Sequence, residues 1–111
     1  MERPIRGDIV VIPFPFSDLT ATKKRPALVL ATLDFEDVIL CQITSKIKLD
    51  SRSLEIRTMD FATGQLPSTS YIRCGKLFTA NSSIIERIAG SLTHEALDRF
   101  AERNAAIIMD K

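Results

Sequence analysis

At 111 residues the chain is long enough for one domain and too short for a larger assembly of domains. Hydrophobic residues make up 45% of it, which argues against a disordered chain, and a net charge of +1 gives no global signal for nucleic-acid binding. No apolar run reaches membrane-spanning length and the N-terminus does not resemble a signal peptide, so we expect a cytoplasmic protein without a membrane partner.

The first two predicted strands are joined by a polar, turn-rich loop at residues 17–22. The first covers residues 8 to 13 or 14 and is almost entirely apolar, which predicts burial on both faces. The second is predicted to begin at Pro26 and to end at residue 32, because proline is tolerated at the first position of a strand. Three consecutive cations therefore stand just before this strand, namely Lys23, Lys24 and Arg25.

The middle of the chain predicts several short strands. An acidic turn at residues 34–37 leads to a third strand over residues 38–44, and a polar loop at 45–51 leads to a half-buried strand over 54–57. One helical turn is predicted at 60–63, stopped by Gly64. Further short strands are predicted at 70–73, 76–79 and 84–88, with Gly75 as a bulge or turn between the first two.

The last segment changes to a helical period. Leu97, Phe100, Asn104 and Ile108 recur at helical spacing, and Thr93 is a suitable N-cap, so we predict a helix from about residue 94 to 109. Strands followed by one long helix predict a mainly β, small α+β barrel that the helix covers on one side.

Cysteine and histidine offer little catalytic chemistry. Cys41 and Cys74 lie in apolar runs without metal-type spacing, so we expect buried, reduced side chains. The single histidine, His94, is expected to be an ordinary surface residue at the start of the helix. Neither a metal site nor a cofactor motif is present in the pattern, and none is expected.

Local charge is more informative than net charge. Besides the cations before the second strand, the segment after the third strand carries Lys46 and Lys48. In an antiparallel hairpin the start of the second strand lies beside the end of the third, so Arg25 and Thr44 are expected to be neighbours. From the residues alone two interpretations stay open: a polar site, or a solvated arginine next to a threonine that merely suits a strand end.

Several segments together resemble the MazF/PemK family of toxin endoribonucleases. They are Gly-Asp-Ile-Val at 7–10, Arg-Pro-Ala-Leu-Val at 25–29, Gln-Ile-Thr-Ser at 42–45, Leu-Glu-Ile at 54–56, Ser-Tyr-Ile-Arg at 70–73 and Lys-Leu-Phe-Thr at 76–79, followed by a closing helix. The resemblance implies one domain over residues 1–111 with an SH3-like barrel of the CcdB/MazF/PemK type, a homodimer, and a cognate antitoxin. Relatives often carry an acidic residue where this chain has Gly75.

The resemblance also implies an activity, the metal-independent cleavage of single-stranded messenger RNA. Its catalytic arginine and threonine fall on Arg25 and Thr44. RNA-binding candidates are Lys23, Lys24, Ser45, Lys46, Lys48 and Lys76. RNA provides its own nucleophile, the 2′-hydroxyl, so the expected products are a cyclic phosphate and a 5′-hydroxyl. The alternatives are a CcdB-like, non-catalytic poison of DNA gyrase and an inactive SH3-like binding module.

Overall fold

The strands of the sheet follow one another along most of the chain before the final helix. The computed structural model describes residues 3–15, 22–46 and 51–111. Within these residues the strands are β1 (Asp8–Pro15), β2 (Thr22–Thr32), β3 (Asp37–Thr44), β4 (Ser53–Ile56), β5 (Phe61–Gly64), β6 (Ser70–Asn81) and β7 (Arg87–Leu92). They form one antiparallel sheet in the order β4-β6-β3-β2-β1-β7-β5, which curls into a half-barrel. The predicted mainly β fold with a C-terminal helix is confirmed.

Both faces of the sheet are buried, because the curled sheet encloses one core and the helix covers a second. Successive residues of β1 point to opposite faces, so Ile9 belongs to the core under the helix, whereas Val10 and Ile12 belong to the core inside the curl. None of the three is more than 1% exposed. Full burial of such a side chain contributes about 1.5–3 kcal/mol. The apolar run of the first strand therefore has the two-sided burial that its sequence predicts.

The helix α1 (His94–Ile108) begins where the sequence places it. The Thr93 hydroxyl oxygen accepts a hydrogen bond from the Ala96 backbone N–H at 3.2 Å, as an N-cap does. Leu97 and Phe100 are buried against the sheet. Ile108 does not continue this face, because its side chain is 69% exposed. Among the residues that the structure describes, no helix is long and apolar enough to cross a membrane.

The start of β2 differs from the prediction: the strand begins at Thr22 and Pro26 lies within it. Pro26 is opposite Val11, whose carbonyl accepts from Glu86 on the far side of β1. Val11 therefore directs its backbone polar groups away from β2, and by the antiparallel pattern Pro26 directs its nitrogen away from β1. The β2–β3 ladder starts only at Ala27, so the missing N–H of proline removes no ladder bond.

The predicted helical turn at residues 60–63 is wrong. A 3₁₀ turn lies just before it, at Thr58–Asp60, and β5 follows at once. The Asp60 carboxylate closes the turn by accepting from the backbone N–H of Arg57 at 2.8 Å and from Arg99 Nη2 at 3.0 Å. Gly64 then has a φ of +72° and lies so close to β7 that a Cβ would come within 2.2 Å of the Ala89 carbonyl oxygen. The close approach of two strands, rather than a helix end, requires this glycine.

The boundaries of the last strands also differ. The predicted strands at 70–73 and 76–79 are parts of one strand, β6, with a bulge where Gly75 has a φ of +91°. The strand predicted at 84–88 begins later, at Arg87, because a 3₁₀ turn occupies Ser82–Ile84. The Asn81 side chain caps that turn by accepting from the Ser83 N–H at 3.0 Å. The predicted loop at 17–22 falls almost entirely outside the described residues.

Both cysteines have the environment that the sequence predicts. Cys41 and Cys74 are free thiols and are 0% and 2% exposed. They belong to the core between the sheet and α1. Burial raises the pKa of the Cys41 thiol to about 12, with a further increase from Cys74 and an opposing effect of the hydrogen bond to Asn104. Cys41 therefore stays protonated at neutral pH.

Candidate functional site

A groove of about 430 Å³ lies at the end of the sheet where β2 begins and β3 ends. Its apolar walls come from Val11, Pro26, Ile43, Leu66 and Pro67. Its cationic residues are Lys23, Lys24, Arg25, Lys46 and Arg87. Its hydroxyl groups come from Ser45, Ser68 and Ser70. The groove thus combines apolar walls, which suit planar bases, with cations that suit phosphate.

The strand register places Arg25 and Thr44 at the same end of one ladder. The last bridge between β2 and β3 pairs Ala27 with Gln42. Continuing that register by two residues puts Arg25 opposite Thr44. Both residues have the parity of the side chains that point into the curl of the sheet, since Val29 and Leu40 belong to that core. Their assignment as catalytic residues stays a prediction.

The Thr44 side chain is held in place and shielded. It is 4% exposed, it pairs with Tyr71 of β6, and it is not among the described residues that line the groove. Its hydroxyl oxygen accepts the backbone N–H of Lys46 at 3.2 Å. A hydroxyl can accept and donate at the same time, so the hydrogen of Thr44 can still be given to another acceptor.

Four of the six predicted RNA-binding residues lie at the groove. Lys23, Lys24, Ser45 and Lys46 all line it and are exposed. Lys24 Nζ forms an ion pair with Glu86 Oε1 at 3.2 Å, with side chains 69% and 40% exposed. Such an exposed pair contributes only about 0–1 kcal/mol, so Lys24 can exchange this carboxylate for a phosphate at little cost.

The other two predicted residues are not brought to the groove. Lys48 lies outside the described residues. Lys76 is exposed and is not among the described residues that line the groove. It lies beside the Gly75 bulge of β6 and next to Leu77. Leu77 pairs with Cys41, which is three positions before Thr44 on β3. Any contact of Lys76 with a ligand would be made away from the groove.

Two arginines at or near the groove are not among the site residues predicted from the sequence. Arg87 at the start of β7 lines the groove and lies opposite Val11. Arg73 of β6 donates from Nη1 to Gln42 Oε1 at 3.0 Å, and Gln42 is two residues before Thr44 on β3. Arg73 belongs to the segment 70–73 that carries part of the family resemblance, but only the register of β3 and β6 shows which residue Arg73 contacts.

Several solved structures have the same fold as this chain. MazE–MazF (Form-II) from Deinococcus radiodurans has a TM-score of 0.78 at 14% identity, with 100% of each chain covered. An endoribonuclease in complex with its cognate antitoxin from Mycobacterial species has a TM-score of 0.72 at 14% identity, covering 96% of this chain and 95% of that chain. An endoribonuclease from Mycobacterial species has a TM-score of 0.70 at 17% identity, covering 99% and 94%. At these identities the similarity shows the fold alone.

Sequence comparison identifies the family. No curated protein sequence matches the chain significantly. The sequence profile described as "PemK-like, MazF-like toxin of type II toxin-antitoxin system" matches residues 5–108. Because that match spans nearly the whole chain, the protein belongs to the family of PemK-like, MazF-like toxins of type II toxin–antitoxin systems.

Proposed function

We propose that the protein is a toxin endoribonuclease that cleaves single-stranded messenger RNA at preferred sequences without a metal ion. The observation that carries this proposal is the cationic groove where β2 begins and β3 ends, which Arg25 lines and beside which β3 ends at Thr44. Family membership supports a toxin, and two of the structural relatives are described as endoribonucleases.

The reaction proposed at this site is an intramolecular displacement at phosphorus. The 2′-oxygen of the RNA attacks the adjacent phosphorus, a bond from phosphorus to the 2′-oxygen forms, and the bond to the 5′-oxygen breaks. The proton of the 2′-hydroxyl passes to solvent water and the departing 5′-oxygen takes a proton from solvent water, which gives a 2′,3′-cyclic phosphate and a 5′-hydroxyl. Because the nucleophile is already next to the phosphorus, positioning replaces much of what a metal would supply.

Arg25 is the proposed stabiliser of the charge that develops on the phosphate. A guanidinium is planar, stays protonated, and donates two parallel hydrogen bonds to a phosphate, which an ammonium cannot do. We assign Arg25 to this electrostatic role rather than to that of a base, because the guanidinium cation has only hydrogen-bond donors and no acceptor for a proton. Arg73 of the neighbouring strand β6 is proposed as a second guanidinium for the phosphate, and its hydrogen bond to Gln42 orients it.

Thr44 is the proposed donor to a phosphate oxygen or to the 2′-oxygen. Its own oxygen already accepts the Lys46 N–H, which fixes the position of the hydroxyl group. The remaining cations bind the RNA backbone on either side of the reacting phosphate. We assign Lys23, Lys24, Ser45 and Lys46 to the groove itself, and Lys48 and Lys76 to the RNA beyond it.

The direct test is to incubate the purified protein with a mixture of RNAs, with and without a chelator. We expect cleavage that the chelator does not reduce, and a restricted set of cleavage sites when the new 5′ ends are sequenced. A cyclic phosphate at the 3′ end of the upstream fragment is expected. A protein that leaves all RNAs intact but inhibits DNA gyrase would instead act as CcdB toxins do.

We predict that a cognate antitoxin inhibits by laying an acidic segment over the cationic groove. The reason is charge complementarity, since Lys23, Lys24, Lys46 and Arg87 are all exposed at one edge of a protein whose net charge is only +1. A disordered acidic segment can order on binding and occupy the path of the RNA. The measurement is the affinity for a non-cleavable RNA with and without bound antitoxin. Unchanged RNA affinity in the complex would contradict inhibition by occupation of the groove.

We also predict a homodimer. Residues 9–12 of β1 are buried within one subunit, so the first strand offers little surface, whereas α1 exposes Ile108 (69%) and Met109, just beyond its end, is 60% exposed. Stable homodimer interfaces are apolar, like a hydrophobic core shared between two subunits, and exposed apolar side chains at one helix end suit such an interface. Sedimentation equilibrium at micromolar concentration is expected to give the dimer mass, and Ile108→Glu with Met109→Glu is expected to shift the protein toward monomer. A wild-type protein that is monomeric throughout would refute the prediction.

A further inference from the structure

One buried amide side chain connects the C-terminal helix to β6. Asn104 of α1 is 3% exposed, and its Oδ1 accepts the backbone N–H of Gly75 at 2.7 Å. Its Nδ2 donates to the Phe100 carbonyl at 2.9 Å. A polar group buried at this depth is costly unless it is hydrogen-bonded, and here both ends of the amide are used. Asn104 therefore holds a particular backbone position in β6.

That position is a bulge next to the candidate site. Between the pairs Ile43–Ile72 and Cys41–Leu77, residues 73–76 of β6 lie opposite the single residue Gln42 of β3. Bulges bend a strand and change the direction of its side chains. The bulge includes Arg73, whose Nη1 contacts Gln42 Oε1 at 3.0 Å.

The backbone of the bulge is held at two neighbouring points. The Cys41 thiol shares its one hydrogen between the Arg73 carbonyl, at 3.4 Å from Sγ, and Asn104 Oδ1, at 3.8 Å. The Gly75 N–H binds Asn104. Gly75 has a φ of +91°, which other residues rarely adopt. Cys74 packs into the core under α1, so by strand alternation the side chain of Arg73 points to the opposite face. A contact made under the helix thus fixes the direction of a guanidinium on the other side of the sheet.

We propose that Asn104 is a positioning residue for catalysis: by accepting the Gly75 N–H, it fixes the bulge that orients Arg73 and Gln42 toward the phosphate beside Thr44. This inference rests on the proposed ribonuclease function. It assigns to the C-terminal helix a part in the reaction, although Asn104 is on the face of the sheet opposite to the reacting phosphate. It also explains why a polar side chain occupies a buried position of that helix.

The test compares three variants of the full-length protein. Asn104→Leu keeps the side-chain volume and removes the acceptor, whereas Asn104→Asp keeps an oxygen for the Gly75 N–H and, as the neutral acid that burial favours, still donates to the Phe100 carbonyl. Leu97→Val is the matched control, because Leu97 is equally buried on the same helix but lies beside Gly7. We expect Asn104→Leu to lower kcat on the order of tenfold to a hundredfold with little change in KM, since small displacements of a catalytic group have effects of that size. Asn104→Asp is expected to recover most of the rate, and Leu97→Val to retain wild-type kcat.

Two further measurements separate positioning from a general loss of stability. Hydrogen exchange of the Gly75 amide is expected to accelerate in Asn104→Leu and to stay slow in Asn104→Asp, whether or not RNA is present. In an Arg73→Ala background, Asn104→Leu is expected to cost little further rate, because coupled residues are not additive. An equal loss of kcat with and without Arg73, or normal kcat in a protein whose Gly75 amide exchanges fast, would overturn the inference. If the wild-type protein cleaves no RNA, the proposed function itself fails.

Discussion

Replacement of Arg25 by alanine is expected to slow RNA cleavage by about a hundredfold or more while leaving the fold intact, since loss of one transition-state donor has effects of that size. Arg25 is only half-buried and belongs to neither buried core, so its removal is expected to leave the packing of both cores intact. Arg25→Lys is expected to remain impaired, because lysine keeps the charge but loses the two parallel donors. The measurement is the initial rate on a labelled RNA that contains a mapped site.

Thr44 gives a sharper pair of variants at the same site. Thr44→Val keeps the branched shape that suits the strand and removes the hydroxyl, so it is expected to lose activity to a similar extent as Arg25→Ala. Thr44→Ser keeps the hydroxyl and is expected to retain most of the rate. The Lys46 N–H loses its acceptor in Thr44→Val, but Lys46 is exposed and water can replace that bond.

The control for these variants is an arginine that is not among the described residues lining the groove. Arg103 lies on α1, and Arg103→Ala is expected to cleave at the wild-type rate. Circular dichroism and thermal unfolding of each variant establish that the fold is kept. Unchanged cleavage by Arg25→Ala, with contaminating nuclease excluded by a parallel preparation, would remove Arg25 from the site and with it the main argument for the groove.

Features that depend on local sequence could be predicted. The apolar run of β1 indicates two-sided burial whatever its neighbours are, and the Thr93 cap marks the first turn of α1 through a hydrogen bond within four residues. The pairing of β2 with β3 also follows from the sequence, because they are consecutive antiparallel strands, and the observed pairs reach Ala27 and Gln42. Each of these inferences needs only residues that are close in the chain.

Features that depend on contacts between distant strands could not be predicted from the sequence. Gly64 looks like a helix stop in sequence, but its role is to let β5 approach the backbone of β7 at Gly90, 26 positions later. The contact of Arg73 with Gln42 spans 31 residues, and that of Asn104 with Gly75 spans 29. Asn104 recurs at helical spacing with the buried residues of α1, so its place on the buried face of the helix could be predicted. Its hydrogen-bond partner could not. Register and bulges, rather than residue type, determine these pairings.

Replacement of the scissile 2′-hydroxyl by hydrogen is expected to stop cleavage by the wild-type protein completely. The proposed nucleophile is that oxygen, and the DNA-like substitution removes it while the phosphate, bases and charge that the groove binds all remain. The measurement uses two labelled RNAs that differ only at the nucleotide preceding the mapped cleavage point. Their affinities for the protein are expected to agree within about twofold, because backbone charge provides most of the binding.

The same pair of RNAs separates the proposed chemistry from hydrolysis by an external water. Water could attack the phosphorus of the deoxy-substituted RNA as well as that of normal RNA, so a hydrolytic enzyme would cleave both. Intramolecular attack leaves the substituted RNA intact even at protein concentrations that saturate it, and a chelator changes neither result. Full cleavage of the substituted RNA at the mapped site would therefore refute attack by the 2′-hydroxyl. The roles of Arg25 and Thr44 would then have to be argued for an incoming water instead.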